Sequence, residues 1–167
     1  LDIVSNLYAG KKSNVSLDAG TKLNLHSPAH RQYVQRHREE AAIQKRLWCT
    51  ADEAEQIKRQ VDAVFDNPAA CEIIERPDAI QERAHFAKTG TPIILKALID
   101  VRFPIGLAAD FKTTRHTTTH AIVRDAINKG YIYQAAHYQT VAAVDDFLFI
   151  VVTKSPRPEC LVFEPLR

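Results

Sequence analysis

At Glu72 the hydrophobic period of the chain changes, and this change narrows the available folds more than any other feature. Upstream, apolar residues recur at helical spacing. Downstream, "EIIERPDAIQERAHFAKTGTPIILKALIDV" alternates, carries β-branched residues and breaks at a Thr89-Gly90-Thr91-Pro92 turn. The pattern predicts strands near 80–87, 93–101 and 105–112. "TTTHAIVRDAINKG" reads as a helix with threonines at its start and Gly130 at its C-terminal end, and "YIYQAAHYQTVAAV" as a second helix. "DFLFIVVTK" and "ECLVFEP" read as two late strands separated by Ser155-Pro156-Arg157-Pro158. Helices, three strands, two helices and two strands predict an α/β or α+β layer architecture, a central sheet covered by helices.

The upstream part reads as helical. Ser27-Pro28 opens a polar helix, "SPAHRQYVQRHREEAAIQKRL". Thr50 and Glu53 form a capping-box pattern, and Ala54, Ile57, Val61, Val64 and Phe65 follow at helical spacing until Asn67-Pro68 ends the run. Residues 1–70 are expected to form a mainly helical N-terminal part and 72–167 the sheet with its helices. A chain of 167 residues fits one domain, 1–167, with a real core.

Bulk properties exclude several classes. A net charge of +2 gives no argument for nucleic acid from charge alone. The three cysteines, Cys49, Cys71 and Cys160, form no C-x-x-C pair, which predicts a reduced, cytoplasmic chain and no Fe–S cluster. No apolar run approaches the length of about 18 residues that a membrane span needs, so no membrane association is expected. The start, "LDIVSNLYAG", lacks the charged and apolar regions of a signal peptide. No P-loop, G-x-G-x-x-G, G-x-S-x-G or H-E-x-x-H is present. Trp48 follows Lys45-Arg46 and is read as core or as a surface for a base.

The charges at the strand ends carry the chemistry. "KALID" closes one predicted strand at Asp100, and "LAADFKTT" closes the next with Asp110 and Lys112. Strand side chains alternate, so Asp110 and Lys112 share a face. On neighbouring strands, Asp100 joins them. Two carboxylates converging there repel unless a cation sits between them, and a hard ion such as Mg²⁺ suits oxygen ligands. Lys112 beside that ion can orient a water or neutralise charge developing on a phosphate. A D-x-K pair alone equally describes a solvated ion pair of small worth.

Taken together, Glu82, Gly90-Thr91-Pro92, "KALID" (96–100), "DFKTT" (110–114) and "YIYQAAHY" (131–138) resemble the PDDEXK nuclease superfamily. The likeness is greatest to the RecE-type, exonuclease VIII-like branch of phages and prophages. "FLFIVVTKSPRP" (147–158), "LHSPAHRQYV" and "TADEAEQIKRQVDAVFDNPAA" extend it over most of the chain from about residue 17. The resemblance implies a PDDEXK restriction-endonuclease-like core with a mixed central sheet. It implies that Asp100 and Asp110 are metal ligands, for Mg²⁺ with Mn²⁺ as an alternative. Lys112 becomes the catalytic lysine and Gln134 a further catalytic residue, supported by Tyr138 on the same helical face. Glu82 matches a family acid, with a strand-edge surface charge as the alternative. Thr113 and Thr114 contact phosphate or lead into the next helix, and Arg115, Lys129 and Tyr131 are candidates for DNA contact. Arg124, Lys154 and Arg157 are further basic candidates.

The family likeness implies 5′-to-3′ hydrolysis of double-stranded DNA from an end, in recombination, in a bacterial or phage-infected cell. It also implies a homo-oligomeric ring and a single-strand annealing protein as partner. An endonuclease or single-strand nuclease of the same fold is one alternative, and a DNA-binding remnant is another. Two departures stand out. Leu98-Ile99 replaces the usual Arg-Pro before Asp100, and the G-x-x-x-H segment expected between the first two helices is missing, since Glu40 runs directly into "AAIQKRLWCT". The chain has no methionine, which points to residues missing from the sequence; otherwise this member lacks the histidine and is weakened or uses another ligand. His26 stands at the wrong spacing to replace that histidine, and His26 and His30 are both read as surface or capping histidines. His85 is expected to pack or face solvent, and His116, His120 and His137 to meet DNA or be plain surface positions.

Overall fold

The structure is a computed structural model and describes residues 15–17, 27–43 and 47–165. The chain divides into two compact units, residues 1–61 and 62–167.

In the first unit, strand β1 (Val15–Leu17) pairs in parallel with β2 (Leu47–Cys49), and helix α1 (Pro28–Ile43) lies between them in sequence. Val34, Ala41 and Trp48 are buried together. His37 stacks on the indole at 5.5 Å, and Tyr33 meets it edge-on at 6.3 Å. Trp48 is therefore a core residue. The helix expected to run through Leu47 stops at Ile43. The three residues that leave it are apolar, and they pair with a segment about thirty residues away that local periodicity does not reveal. Helix α2 (Ala51–Phe65) begins at the predicted capping box: the Thr50 N–H donates to Glu53 Oε2 at 2.9 Å, and the Glu53 N–H to Thr50 Oγ1 at 3.2 Å.

In the second unit, Asn67-Pro68 is a restart as well as a stop. Asn67 Oδ1 accepts the Ala70 N–H at 3.0 Å and caps a short helix, α3 (Pro68–Ile74), with proline at its first position. Glu72, where the alternating stretch opens, thus lies within α3, and extended structure begins at Ile80, where the first strand is expected. Strands β3 (Ile80–Lys88), β4 (Ile94–Arg102) and β5 (Leu107–Thr114) follow. Helices α4 (Thr119–Asn128) and α5 (Tyr131–Ala142) come next, then β6 (Asp146–Thr153) and β7 (Cys160–Phe163).

The five strands lie in the order β3-β4-β5-β6-β7. Only β5 and β6 run parallel, and α4 and α5 supply the crossover that a parallel pair requires. This is the mixed α+β architecture with a helix-flanked sheet that the pattern predicts. Ile99, Phe147 and Phe149 are fully buried with Ala108, and Ala135 and Ile122 bring α5 and α4 onto the same core. Gly106 starts both central strands level. Its carbonyl accepts the N–H groups of Asp145 at 2.7 Å and Asp146 at 3.1 Å. Its φ is +86°, in the left-handed region that favours glycine, whereas a Cβ there would meet only the movable Asp145 Oδ2 at 2.9 Å.

Candidate functional site

Strand β5 is held differently on its two sides. Against β6 its register is continuous from Leu107↔Asp146 to Thr114↔Thr153. Against β4 it pairs only at Val101↔Ala109 and Arg102↔Ala108. One more step of that register sets Asp100 opposite Asp110, and there the ladder stops. Asp100 Oδ2 instead accepts the backbone N–H of Phe111 at 2.9 Å, so a side chain takes the place of a strand partner.

The ladder on the far side of β4 breaks at the same level. Gln81↔Val101 and Arg83↔Ile99 are paired, while Glu82 and Asp100, which this register sets opposite each other, are passed over. Glu82 has φ +47°, in the left-handed region that a non-glycine residue enters at a cost. Glu82, Asp100 and Asp110 thus fall in one row across three adjacent strands, and both ladders are interrupted along that row.

Asp110 is buried, with 5% of its side chain exposed, and it pairs with Lys112, whose side chain is 18% exposed. Lys112 Nζ also lies 5.0 Å from the centre of the Tyr131 ring and 5.8 Å from that of Phe149. Phe149 stands opposite Asp110 in the β6 register, and its ring is 5.4 Å from Tyr131. The carboxylate therefore sits in a low-dielectric wall with a cation held over ring faces beside it. This is a desolvated pair and not the solvated one that D-x-K also permits. On α5, Gln134 Nε2 donates to Tyr138 Oη at 3.1 Å, and Tyr138 meets Phe147 edge-on at 5.8 Å. The "YIYQAAHY" motif is thereby fixed to the sheet face that carries Lys112.

Beyond the end of β5 lies a cleft of about 310 Å³, lined by residues 113–116 together with Asp125, Lys129 and Lys154. It collects the sequence candidates Thr113, Thr114, Arg115 and Lys129, whereas Tyr131 sits with Lys112. Lys129 Nζ bonds Asp125 Oδ2 at 2.7 Å, and His116 Nε2 lies 3.7 Å from Asp125 Oδ1. The Lys129 hydrogen bond holds the Asp125 carboxyl below its ordinary range, and the same bond raises Lys129. The Lys154 N–H donates to the Thr114 carbonyl at 2.6 Å, which ties the ends of β5 and β6 together.

Two site residues escaped the sequence reading. Phe149 was legible only as one apolar residue of a strand, and Asp125 only as the acid four residues before Lys129 on a helix. The remaining candidates lie elsewhere. His120, Arg124 and Arg157 are exposed and do not line the cleft. His137 Nε2 bonds the Lys96 carbonyl at 3.0 Å. His85 is half-buried, its Nε2 has no hydrogen-bond partner among the described residues, and burial with Arg102 nearby lowers its pKa. His26 and the side chain of His30 lie outside the described residues.

Among the described residues, no group of three or more His, Cys, Asp and Glu side chains is gathered as a ready-made metal cage. Asp100 and Asp110 are nevertheless hard oxygen donors on adjacent strands, which is the donor type that suits a divalent ion keeping most of its waters. No helix among the described residues is long and apolar enough to cross a membrane.

No family model and no curated protein matches the chain. Among solved structures, it is similar to one titled "putative exonuclease" from Eubacterium rectale, at 13% identity and a TM-score of 0.50. That match covers 81% of this chain and 53% of the other, so the chain spans about half the length of that structure. At this identity the likeness is one of fold. A second structure, SSO0001, matches at 12% identity over 96% of this chain and 72% of its own, with a TM-score of 0.43, too distant to argue from.

Proposed function

We propose that the chain is a nuclease, and more specifically a metal-dependent deoxyribonuclease of the PDDEXK type. The observation that carries this reading is the row of Glu82, Asp100 and Asp110 across three strands, beside the buried Asp110–Lys112 pair. The fold likeness to a structure titled "putative exonuclease" supports it.

In this reading Asp100 and Asp110 hold a Mg²⁺ ion, with Glu82 at the edge of the same row. Such an ion, when bound, polarises a phosphoryl oxygen and acidifies a water. The protein's own contribution is positional. Asp100 is oriented by the Phe111 N–H, so its carboxylate is fixed before substrate arrives. Lys112 is steered by Tyr131 and Phe149 and presents its ammonium where charge grows on the phosphoryl oxygens. Water oxygen attacks phosphorus, the bond to the leaving ester oxygen breaks, and the water's proton passes to solvent while the leaving oxygen is protonated. Tyr138, edge-on to Phe147, holds α5 against this face, and Gln134 bonds Tyr138 within the helix.

The resemblance extends the proposal to the ends of double-stranded DNA, to 5′-to-3′ polarity, and to a ring and an annealing partner. Linear and covalently closed circular duplexes incubated with Mg²⁺ test it. Degradation of the linear DNA alone is expected. Cutting of the circle makes the protein an endonuclease, and loss of neither substrate defeats the nuclease reading.

A further inference from the structure

The cleft beyond β5 is separate from the row of acids, and its chemistry is of opposite sign. Arg115, Lys129 and Lys154 supply three cations against the single carboxylate of Asp125, and Thr113 and Thr114 add hydroxyls. Asp125 occupies Lys129 and lies near His116. Arg115 and Lys154 are exposed and take part in no ion pair among the described residues. A concave site with two unengaged cations and a third restrained by one carboxylate is suited to a small, strongly charged anion. A phosphate group has the acceptor oxygens that arginine, lysine and hydroxyl donors satisfy.

The position of the cleft says which phosphate. Thr114 follows Lys112 by two strand residues, which is about 6.6 Å along β5. A nucleic-acid strand advances about 3.4 Å per nucleotide along its axis. We propose that this cleft seats a backbone phosphate of the nucleic-acid strand, one or two nucleotides from the bond placed at Asp110 and Lys112. Asp125 is then a competitor that releases Lys129 when the phosphate enters. The inference rests on the nuclease reading for the identity of the strand, but the binding it predicts is measured without cleavage.

The test is duplex binding by fluorescence anisotropy in EDTA, over a series of salt concentrations, with the whole chain. The R115Q/K154Q variant is expected to bind about tenfold more weakly. Its slope of log affinity against log salt is expected to fall by about one, as for one phosphate no longer neutralised. Both side chains are exposed, so folding is not at stake, and thermal melting verifies this. D125N moves the other way and binds about threefold more tightly. A single methylphosphonate placed one or two nucleotides from the cut bond weakens the wild type as much as R115Q/K154Q does, and adds nothing to that variant. Unchanged affinity and salt slope in R115Q/K154Q, or weaker binding by D125N, overturns the proposal. If the wild type binds DNA with these responses yet cuts none in Mg²⁺, the nuclease reading falls and the phosphate site stands.

Discussion

The two flanks of β5 show how one strand serves both as scaffold and as working surface. On the β6 side every residue from Leu107 to Thr114 has a partner, and the pair is buried beneath α5. On the β4 side pairing ends after Ala109, where Asp110 begins the charged segment. A continuous ladder satisfies all backbone donors with backbone acceptors and leaves nothing for chemistry. Where the ladder lets go, Asp100 bonds a main-chain N–H, and a row of carboxylates becomes possible in the middle of a sheet. The closed flank keeps β5 in place while the open flank carries Asp100 and Asp110 at one level.

The largest effect that tests this contrast is on activity. D110N removes a proposed ion ligand while keeping the shape of the side chain. A loss of about 4 kcal/mol of transition-state stabilisation corresponds to about a thousandfold in rate. The stability cost is expected near 2 kcal/mol, below that of a fully buried pair, because Lys112 still reaches solvent. Radiolabel release from linear DNA and a urea melt measure the two. Activity within tenfold of wild type would remove Asp110 from the chemistry.

Phe149→Ala attacks the closed flank. Its ring is fully buried, and its loss is expected to cost about 4 kcal/mol, read as a lower urea midpoint. A cost under 1 kcal/mol would show that this flank is not the scaffold. Glu82→Gly has a smaller effect of mixed sign. Relief of the left-handed conformation outweighs the backbone entropy that glycine adds, for a gain of about 0.5 kcal/mol, while DNA hydrolysis falls. A loss of stability together with full activity would make Glu82 a structural residue.

The smallest effect is confined to acid. Lys129 depresses the Asp125 carboxyl below its ordinary 3.8, so the stability this group contributes is complete above that pH and is lost as pH falls through the lower folded value. The difference in melting temperature between wild type and D125N should stay constant above about pH 4 and close below it. A difference that grows toward acid would contradict the ion pair.

Local signals carried much of this. The Thr50–Glu53 cap and the Thr89–Pro92 turn rest on neighbours in sequence and appear where predicted, as do the strands around Asp100 and Asp110 within two residues. The errors lie where a distant partner overrides local preference. Residues 47–49 leave a helical pattern to pair with β1, and Asn67, which caps the helix that starts at Pro68, also donates its Nδ2 to the Cys160 carbonyl at 2.8 Å.

The sequence by itself determined the element types from β3 onward, the α+β class and the shared face of Asp110 and Lys112, because strand alternation and helix capping act over a few residues. Only the tertiary structure decided that Glu82 stands level with Asp100, that Lys112 rests over Tyr131 and Phe149, and that Asp125 faces the cationic cleft. Those relations depend on strand register and on the packing of a crossover helix. Both are set by contacts between segments far apart in the chain, which no local spacing encodes.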